Sequence, residues 1–166
     1  MSEEQRTRTL VMGIGNILLK DEGAGVHVVE RLRELNPDAP DIVWLDAGTL
    51  SFTLAPEVEA SRNLIVVDVT QLKAAPGTVQ VFVDAEVDRM LAGHGRSVHE
   101  VGIMDLMDMA RLVEQLPERR ALIGIQPEAI EWGDWPTPAV AAAMPAAQRE
   151  IAALVRSWTG VELVTD

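Results

Sequence analysis

Apolar runs of strand length alternate along this chain with stretches of helical period. Thr9–Ile14 is a continuous apolar run closed by glycines, the pattern of a central strand buried on both faces. Val28, Val29, Leu32 and Leu35 share one side of a predicted helix over residues 24–35, and Asn36-Pro37 stops it. A second strand is predicted over residues 42–45, followed by a short helix within residues 50–60 in spite of Pro56. Asn63–Val69 reads as another strand of the buried type. A turn at Ala74-Ala75-Pro76-Gly77 precedes a fourth strand over residues 78–83.

Residues 98–116 carry Ile103, Leu106, Met107, Ala110 and Val113 on one helical face, and Pro117 follows. A fifth strand is predicted over residues 121–125. Thr137-Pro138 starts the last helix with an N-cap and a proline at its first position. Val140, Met144, Ala147, Ile151, Leu154 and Trp158 mark its core face, Gly160 follows its end, and Pro145 predicts a kink. Strands alternating with helices imply one α/β domain, a mostly parallel five-stranded sheet covered by helices on both faces. The expected domain spans residues 9–160, with a flexible N-terminal tail over 1–8 and a C-terminal tail over 161–166.

Composition narrows the function. The formal charge of −12 argues against DNA, RNA or an anionic membrane surface as a partner, because those need clustered Lys and Arg. With no cysteine there is no disulfide framework, thiolate metal site or cysteine nucleophile. The opening MSEEQRTRT has no apolar core of a secretory signal, and no apolar run is long enough to span a bilayer, so a cytoplasmic protein is expected.

The polar candidates follow the strands. They are Gly15-Asn16 and Asp21-Glu22 after the first, Asp46 to Thr49 after the second, Asp68 to Thr70 after the third, residues 94–100 beyond the fourth and Gln126 to Glu128 after the fifth. Ligands of open α/β sheets bind outside the carboxyl ends of the strands, where all of these fall. Gly13-Ile14-Gly15-Asn16-Ile17-Leu18 lacks the third glycine of a dinucleotide fingerprint, and Asp21-Glu22 would set negative charge where pyrophosphate belongs. Helix capping is the plainer reading of that acidic pair, with Asp21 as N-cap. Asp68 ends an otherwise apolar strand, and its plainer reading is a carboxylate bonded to loop amides.

Ser97-Val98-His99-Glu100 is a capping box, which puts His99 in the first turn of a helix. The helix dipole there predicts a neutral imidazole, the form a metal requires, although a surface histidine without a role is the plainer reading of the residue taken alone. His94 is a mobile alternative in a glycine-flanked loop, and His27, off the apolar face of its helix, is read as structural or solvent-facing. Glu22, Asp68 and His99 together make a two-carboxylate, one-histidine set suited to a borderline or hard divalent ion. A serine nucleophile elbow and the paired histidines of a zincin helix are both absent.

Taken in order, these motifs make the chain resemble the maturation endopeptidases of [NiFe] hydrogenases. The family opening, G-x-G-N-x-L-x-x-D-D/E-x-x-G, is matched in full from Gly13 to Gly25. The family's D-x-G-T loop falls on Asp46-Ala47-Gly48-Thr49, and its strand ending in aspartate on residues 64–68. A-P-G-T falls on residues 75–78, H-x-x-G on residues 99–102, and G-I/V-x-P-E on residues 124–128. The stretch Glu131-Trp132-Gly133-Asp134-Trp135 matches no motif.

The resemblance implies a twisted sheet between helices and a metal-contacting trio on Glu22, Asp68 and His99. It implies removal of a C-terminal extension from the hydrogenase large-subunit precursor after nickel insertion. Nickel would then arrive with the precursor, and no resident cofactor is expected. Gly13, Gly15 and Asn16 would let the substrate approach closely, with Asp46, Gly48 and Thr49 orienting it. Nothing in the sequence points to a stable homo-oligomer, so a monomer is expected when free. The competing readings are a nucleotide-dependent oxidoreductase, with Asp46 on a ribose, and a non-catalytic nickel-binding chaperone.

Overall fold

The structure, a computed structural model, describes residues 6–93 and 97–166. In chain order it contains β1 (Thr9–Ile14), a 3₁₀ turn (Lys20–Gly23), α1 (Ala24–Leu35), β2 (Ile42–Gly48), a second 3₁₀ turn (Phe52–Leu54), α2 (Ala55–Glu59) and β3 (Asn63–Val69). β4 (Val79–Val83), α3 (Ala85–Ala92), α4 (Val98–Leu112), β5 (Arg119–Ile125) and α5 (Pro138–Thr159) follow. The sheet order is β2-β1-β3-β5-β4. All pairs are parallel except β4 with β5, where Val81 faces Ile123.

β1 and β3 lie inside the sheet and are buried along their whole length, which is why both read as unbroken apolar runs. Their side chains alternate between two cores. Val11, Ile65 and Val67 face α1 and α5, whereas Leu10, Met12, Leu64 and Val66 face the layer of α2, α3 and α4. Gly13 and Gly25 let α1 press against the sheet: a Cβ on Gly25 would stand 2.3 Å from the Val67 carbonyl oxygen, and one on Gly13 2.5 Å from that of Gly25. Close helix–strand packing, the task of the third glycine in a dinucleotide fingerprint, falls here to Gly25, displaced along the chain by the intervening 3₁₀ turn.

Several expectations are revised. β2 runs on to Gly48, so Asp46 sits in the strand rather than in a loop after it. Pro56 is accommodated in the first turn of α2, where its missing N–H is harmless. α4 ends at Leu112, because Glu114 turns the chain at φ +56°, and Val113 is exposed instead of facing the core. α5 continues through Pro145 as one helix.

Arg6 and residues 161–166 are tied to the domain. Arg6 is buried and donates to the carbonyls of Ser61 at 3.1 Å and Gln115 at 2.9 Å. Residues 161–166 have no regular structure, but Val161 and Leu163 pack on the core. The Asn36 side-chain amide donates to the Val164 carbonyl and accepts the Val164 N–H, and Arg31 grips the Asp166 carboxylate with two bonds of 2.9 Å.

Candidate active site

The polar groups expected at the carboxyl ends of the strands meet there. Glu22 comes from the 3₁₀ turn after β1, Asp68 from the end of β3, and His99 from the first turn of α4. β1 and β3 are adjacent strands, which brings the two acids to one edge. The capping box is fully formed: Ser97 Oγ accepts the Glu100 N–H, and Glu100 accepts the Ser97 N–H. It fixes the start of α4 and with it His99. The Thr70 hydroxyl donates to the buried Glu100 carboxylate, tying α4 to the end of β3.

The imidazole of His99 stands between the two acids. Its Nε2 is 3.3 Å from Glu22 Oε1, and its Nδ1 is 3.3 Å from Asp68 Oδ2 and 3.4 Å from Oδ1. Asp68 is only 1% exposed. Its Oδ1 accepts the Val69 N–H at 2.8 Å, while buried Oδ2 has no hydrogen-bond partner of good geometry. Burial pushes the Asp68 pKa up to about 6, against the opposing pull of His99 and the Val69 N–H.

The downward shift of His99 expected from the helix dipole is reversed. The hydrogen bond to Asp68 raises the His99 pKa, and the charges of Asp68, Glu22 and Glu100 add to it, outweighing burial. Carboxylates at 3.3 Å act more strongly than the partial charge of a helix end. Among the described residues no group of three or more His, Asp or Glu is already arranged as a metal cage. The reason is local, since each ring nitrogen of His99 faces a different acid.

Asp21 does not cap α1. The N-cap is Gly23, with no side-chain bond. Asp21 is fully buried and accepts the N–H groups of Glu128 at 2.8 Å, Ala129 at 2.9 Å and Thr137 at 2.7 Å. The unassigned stretch 131–135 is part of the same construction. Lys20 and Gly133, and Gly133 and Leu18, exchange backbone bonds of 2.9 Å, Lys20 pairs with Glu131, and Trp135 lies against His27 with ring centroids 4.7 Å apart. His27 is thus a half-buried structural residue.

The remaining candidates divide. Gly15 lies at φ +131°, and a Cβ there would be 1.8 Å from the Glu22 carbonyl oxygen. The close approach at Gly13 and Gly15 is therefore made by the chain itself. Asn16 accepts the Leu18 N–H at 2.9 Å and Asp46 the Gly48 N–H at 2.8 Å, both shaping their own turns. Thr49 is exposed and lines a neighbouring cleft. His94 lies outside the described residues.

A cleft of about 250 Å³ opens on Glu22 and His99, walled by Thr70, Gln71, Val98 and Ile130. Gln126 holds this wall, accepting the Leu72 N–H at 2.6 Å and donating to Gln71 at 3.0 Å. Its place after β5 was the one signal in the sequence.

Fold and site thus define an open α/β protein with an acid–imidazole–acid cluster at the carboxyl edge of its sheet. Residues 26–154 match the sequence profile of the family described as HycI, hydrogenase maturation protease. HupD, a hydrogenase expression/formation protein of Rhodobacter capsulatus, is 37% identical over 94% of this chain and 74% of its own length. The hydrogenase 2 maturation protease of Escherichia coli is 36% identical over 95% of both chains. The solved structure of the hydrogenase maturating endopeptidase HybD from E. coli superimposes with a TM-score of 0.85 at 32% identity, covering 96% of this chain and 98% of that one. The chain belongs to the [NiFe] hydrogenase maturation endopeptidases. Membership in a protease family sets aside both the oxidoreductase and the non-catalytic chaperone. No helix of the described residues is long and apolar enough to cross a membrane.

Proposed function

We propose that this endopeptidase removes the C-terminal extension of a [NiFe] hydrogenase large-subunit precursor, and does so after nickel has been installed in that precursor. Nickel is part of the substrate in this reading, and the protein supplies Glu22, Asp68 and His99 to it. The observation that carries the reading is the cluster itself: an imidazole at a cleft mouth with a carboxylate 3.3 Å from each of its ring nitrogens. An oxygen–nitrogen donor set of this kind suits a divalent ion, and buried Asp68 Oδ2 is left without a hydrogen bond that a cation's approach would replace. Glu22 Oε1 and His99 Nε2 are close enough together to serve as neighbouring ligands. Asp68 joins them when the imidazole turns out from between the acids and offers the cation a nitrogen whose proton has passed to solvent water.

Hydrolysis then adds one water across the scissile bond. Its oxygen joins the carbonyl carbon, the carbon–nitrogen bond breaks, and the amine leaves with a proton. Substrate nickel polarises the carbonyl, activates the water, or anchors the chain beside these residues. An unloaded precursor offers the trio nothing to hold, which makes cleavage a checkpoint on nickel insertion.

The test is mass spectrometry of precursor, with and without nickel, after incubation with the parent protein and with Glu22→Gln, Asp68→Asn and His99→Leu. Loss of the C-terminal peptide only from nickel-loaded precursor, and only with the parent, is expected. Parent-like cleavage by all three folded variants removes the assignment.

A further inference from the structure

Asp68 and Thr70 stand two residues apart where β3 ends, so both side chains leave on the same side. They meet consecutive residues of α4: Asp68 meets His99, and Thr70 meets Glu100. Glu100 is only 7% exposed, and a glutamate is seldom so buried unless its oxygens are bonded. Here they are divided between two elements. Oε2 accepts the Ser97 N–H at 3.0 Å, within the capping box, and Oε1 accepts the Thr70 hydroxyl. Thr70 is itself a fixed point, its N–H donating to the Ile125 carbonyl at 3.0 Å. Its methyl lies over Gly124 of β5: a Cβ on Gly124 would stand 2.5 Å from Thr70 Cγ2, with the next atom 3.5 Å away. The bare glycine leaves room for the methyl, and with the methyl there the hydroxyl points to Glu100.

We propose that Thr70 is a positioning residue for cleavage: by bonding Glu100 it holds His99 in place against Asp68 and Glu22, and Gly124 sets the Thr70 rotamer that makes the bond. The inference rests on the reading of Glu22, Asp68 and His99 as the cleavage site. One contact between β3 and the start of α4 would leave the helix free to pivot about it. Two contacts at consecutive residues fix distance and rotation together. The second contact gains importance when the imidazole turns out from between the acids. The Asp68–His99 contact is then given up, whereas the bond from Thr70 to Glu100 involves neither group and persists. The first turn of α4 stays in place while only the side chain of His99 moves. A reacting group misplaced by a fraction of an ångström slows the reaction without unfolding the protein.

Steady-state processing of nickel-loaded precursor is measured well below the thermal midpoint of each variant, with Glu22→Gln as a site control. Thr70→Val keeps the shape and loses the hydroxyl, and kcat/KM should fall about tenfold. Thr70→Ser keeps the hydroxyl and should recover most of that loss. Glu100→Gln separates position from charge. Its amide oxygen can accept the Ser97 N–H and its NH₂ can donate to the Thr70 oxygen, so kcat/KM should stay within about threefold of the parent. Gly124→Ala presses on the Thr70 methyl and should be impaired like Thr70→Val. Removing that methyl in the double variant Gly124→Ala/Thr70→Ser should restore activity. A parent-like kcat/KM in Thr70→Val overturns the positioning role, and a tenfold loss in Glu100→Gln overturns it in favour of charge. An unimpaired Gly124→Ala, or a double variant no better than Gly124→Ala, overturns the part given to Gly124. If Thr70→Val does not fold, Glu100→Gln and the Gly124 pair decide. An inactive Glu22→Gln leaves the cleavage site standing in each event, and an active one brings down the site and the positioning role with it.

Discussion

Thr137 gives its hydroxyl to Asp21 Oδ1 at 2.9 Å, although it stands at the start of α5, where a threonine ordinarily caps its own helix. The same buried carboxylate takes three backbone N–H groups from residues 128, 129 and 137. Glu22 is the next residue along the chain. One charge therefore ties the loop that carries Glu22 to the segment that leads into α5. Asp21→Asn offers a single acceptor oxygen and turns an NH₂ toward donors. Its expected cost is about 2–4 kcal/mol in urea unfolding, with cleavage at least tenfold slower as Glu22 shifts. An Asn variant as stable as the parent would deny Asp21 this anchoring part.

The same residue sets an acid limit. Burial on its own would raise the Asp21 pKa, but the N–H groups of Ala129, Glu128 and Thr137, together with the Thr137 hydroxyl, outweigh it and hold the value below 3.8. The unfolded chain therefore takes up the proton first. The contribution is complete above the ordinary carboxylate value and disappears as pH falls through the lowered folded value. The stability difference between parent and Asp21→Ala should stay level from about pH 8 to pH 5 and shrink below about pH 4. Urea unfolding across that range measures it.

Asp68 has the opposite sign. Its value is pushed from 3.8 up to about 6, so the folded state holds the proton more tightly than the unfolded one. The stability associated with it is greatest at low pH and falls as pH rises between those values. Two units correspond to about 3 kcal/mol of penalty in the ion-free protein at neutral pH. Asp68→Asn removes that charge and loses the contact with His99. The variant should gain about 1–2 kcal/mol at pH 7.5, gain nothing at pH 4, and lose cleavage. A destabilised Asn variant at pH 7.5 would show that this carboxylate is satisfied without a cation.

β1, α1 and β3 were legible to within a residue because each is governed by its own periodicity: β1 and β3 are buried throughout, and α1 shows a clean apolar stripe. The trio was legible for a similar reason, since strand ends and a capping box are local signals that converge in an open α/β sheet. α3 escaped because only Val87 and Leu91 mark its buried side amid charged residues. Asp21 escaped because its partners lie more than a hundred residues away, and Arg6 because its carbonyl acceptors on Ser61 and Gln115 are 55 and 109 residues away. In both cases a charged residue is buried and bonded to backbone groups no sequence window contains. The direction of the His99 shift depended on knowing which acids face it, and the helix dipole alone pointed the wrong way.

Gly15 separates two reasons for a glycine. At φ +131° it adopts a conformation nearly closed to other residues, and an added Cβ would lie 1.8 Å from the Glu22 carbonyl oxygen. Gly48 is also left-handed, at φ +52°, but a Cβ there meets nothing within 4 Å. Gly48→Ala should cost only the backbone preference, about 1–2 kcal/mol. Gly15→Ala adds a clash with backbone that cannot swing aside, so the 3₁₀ turn bearing Glu22 must move. The expected loss is about 3 kcal/mol or more, with cleavage abolished in whatever fraction still folds. Unfolding curves for the two variants should differ clearly. Equal costs would mean that backbone conformation alone, not the approach of Glu22 to the end of β1, requires a glycine at position 15.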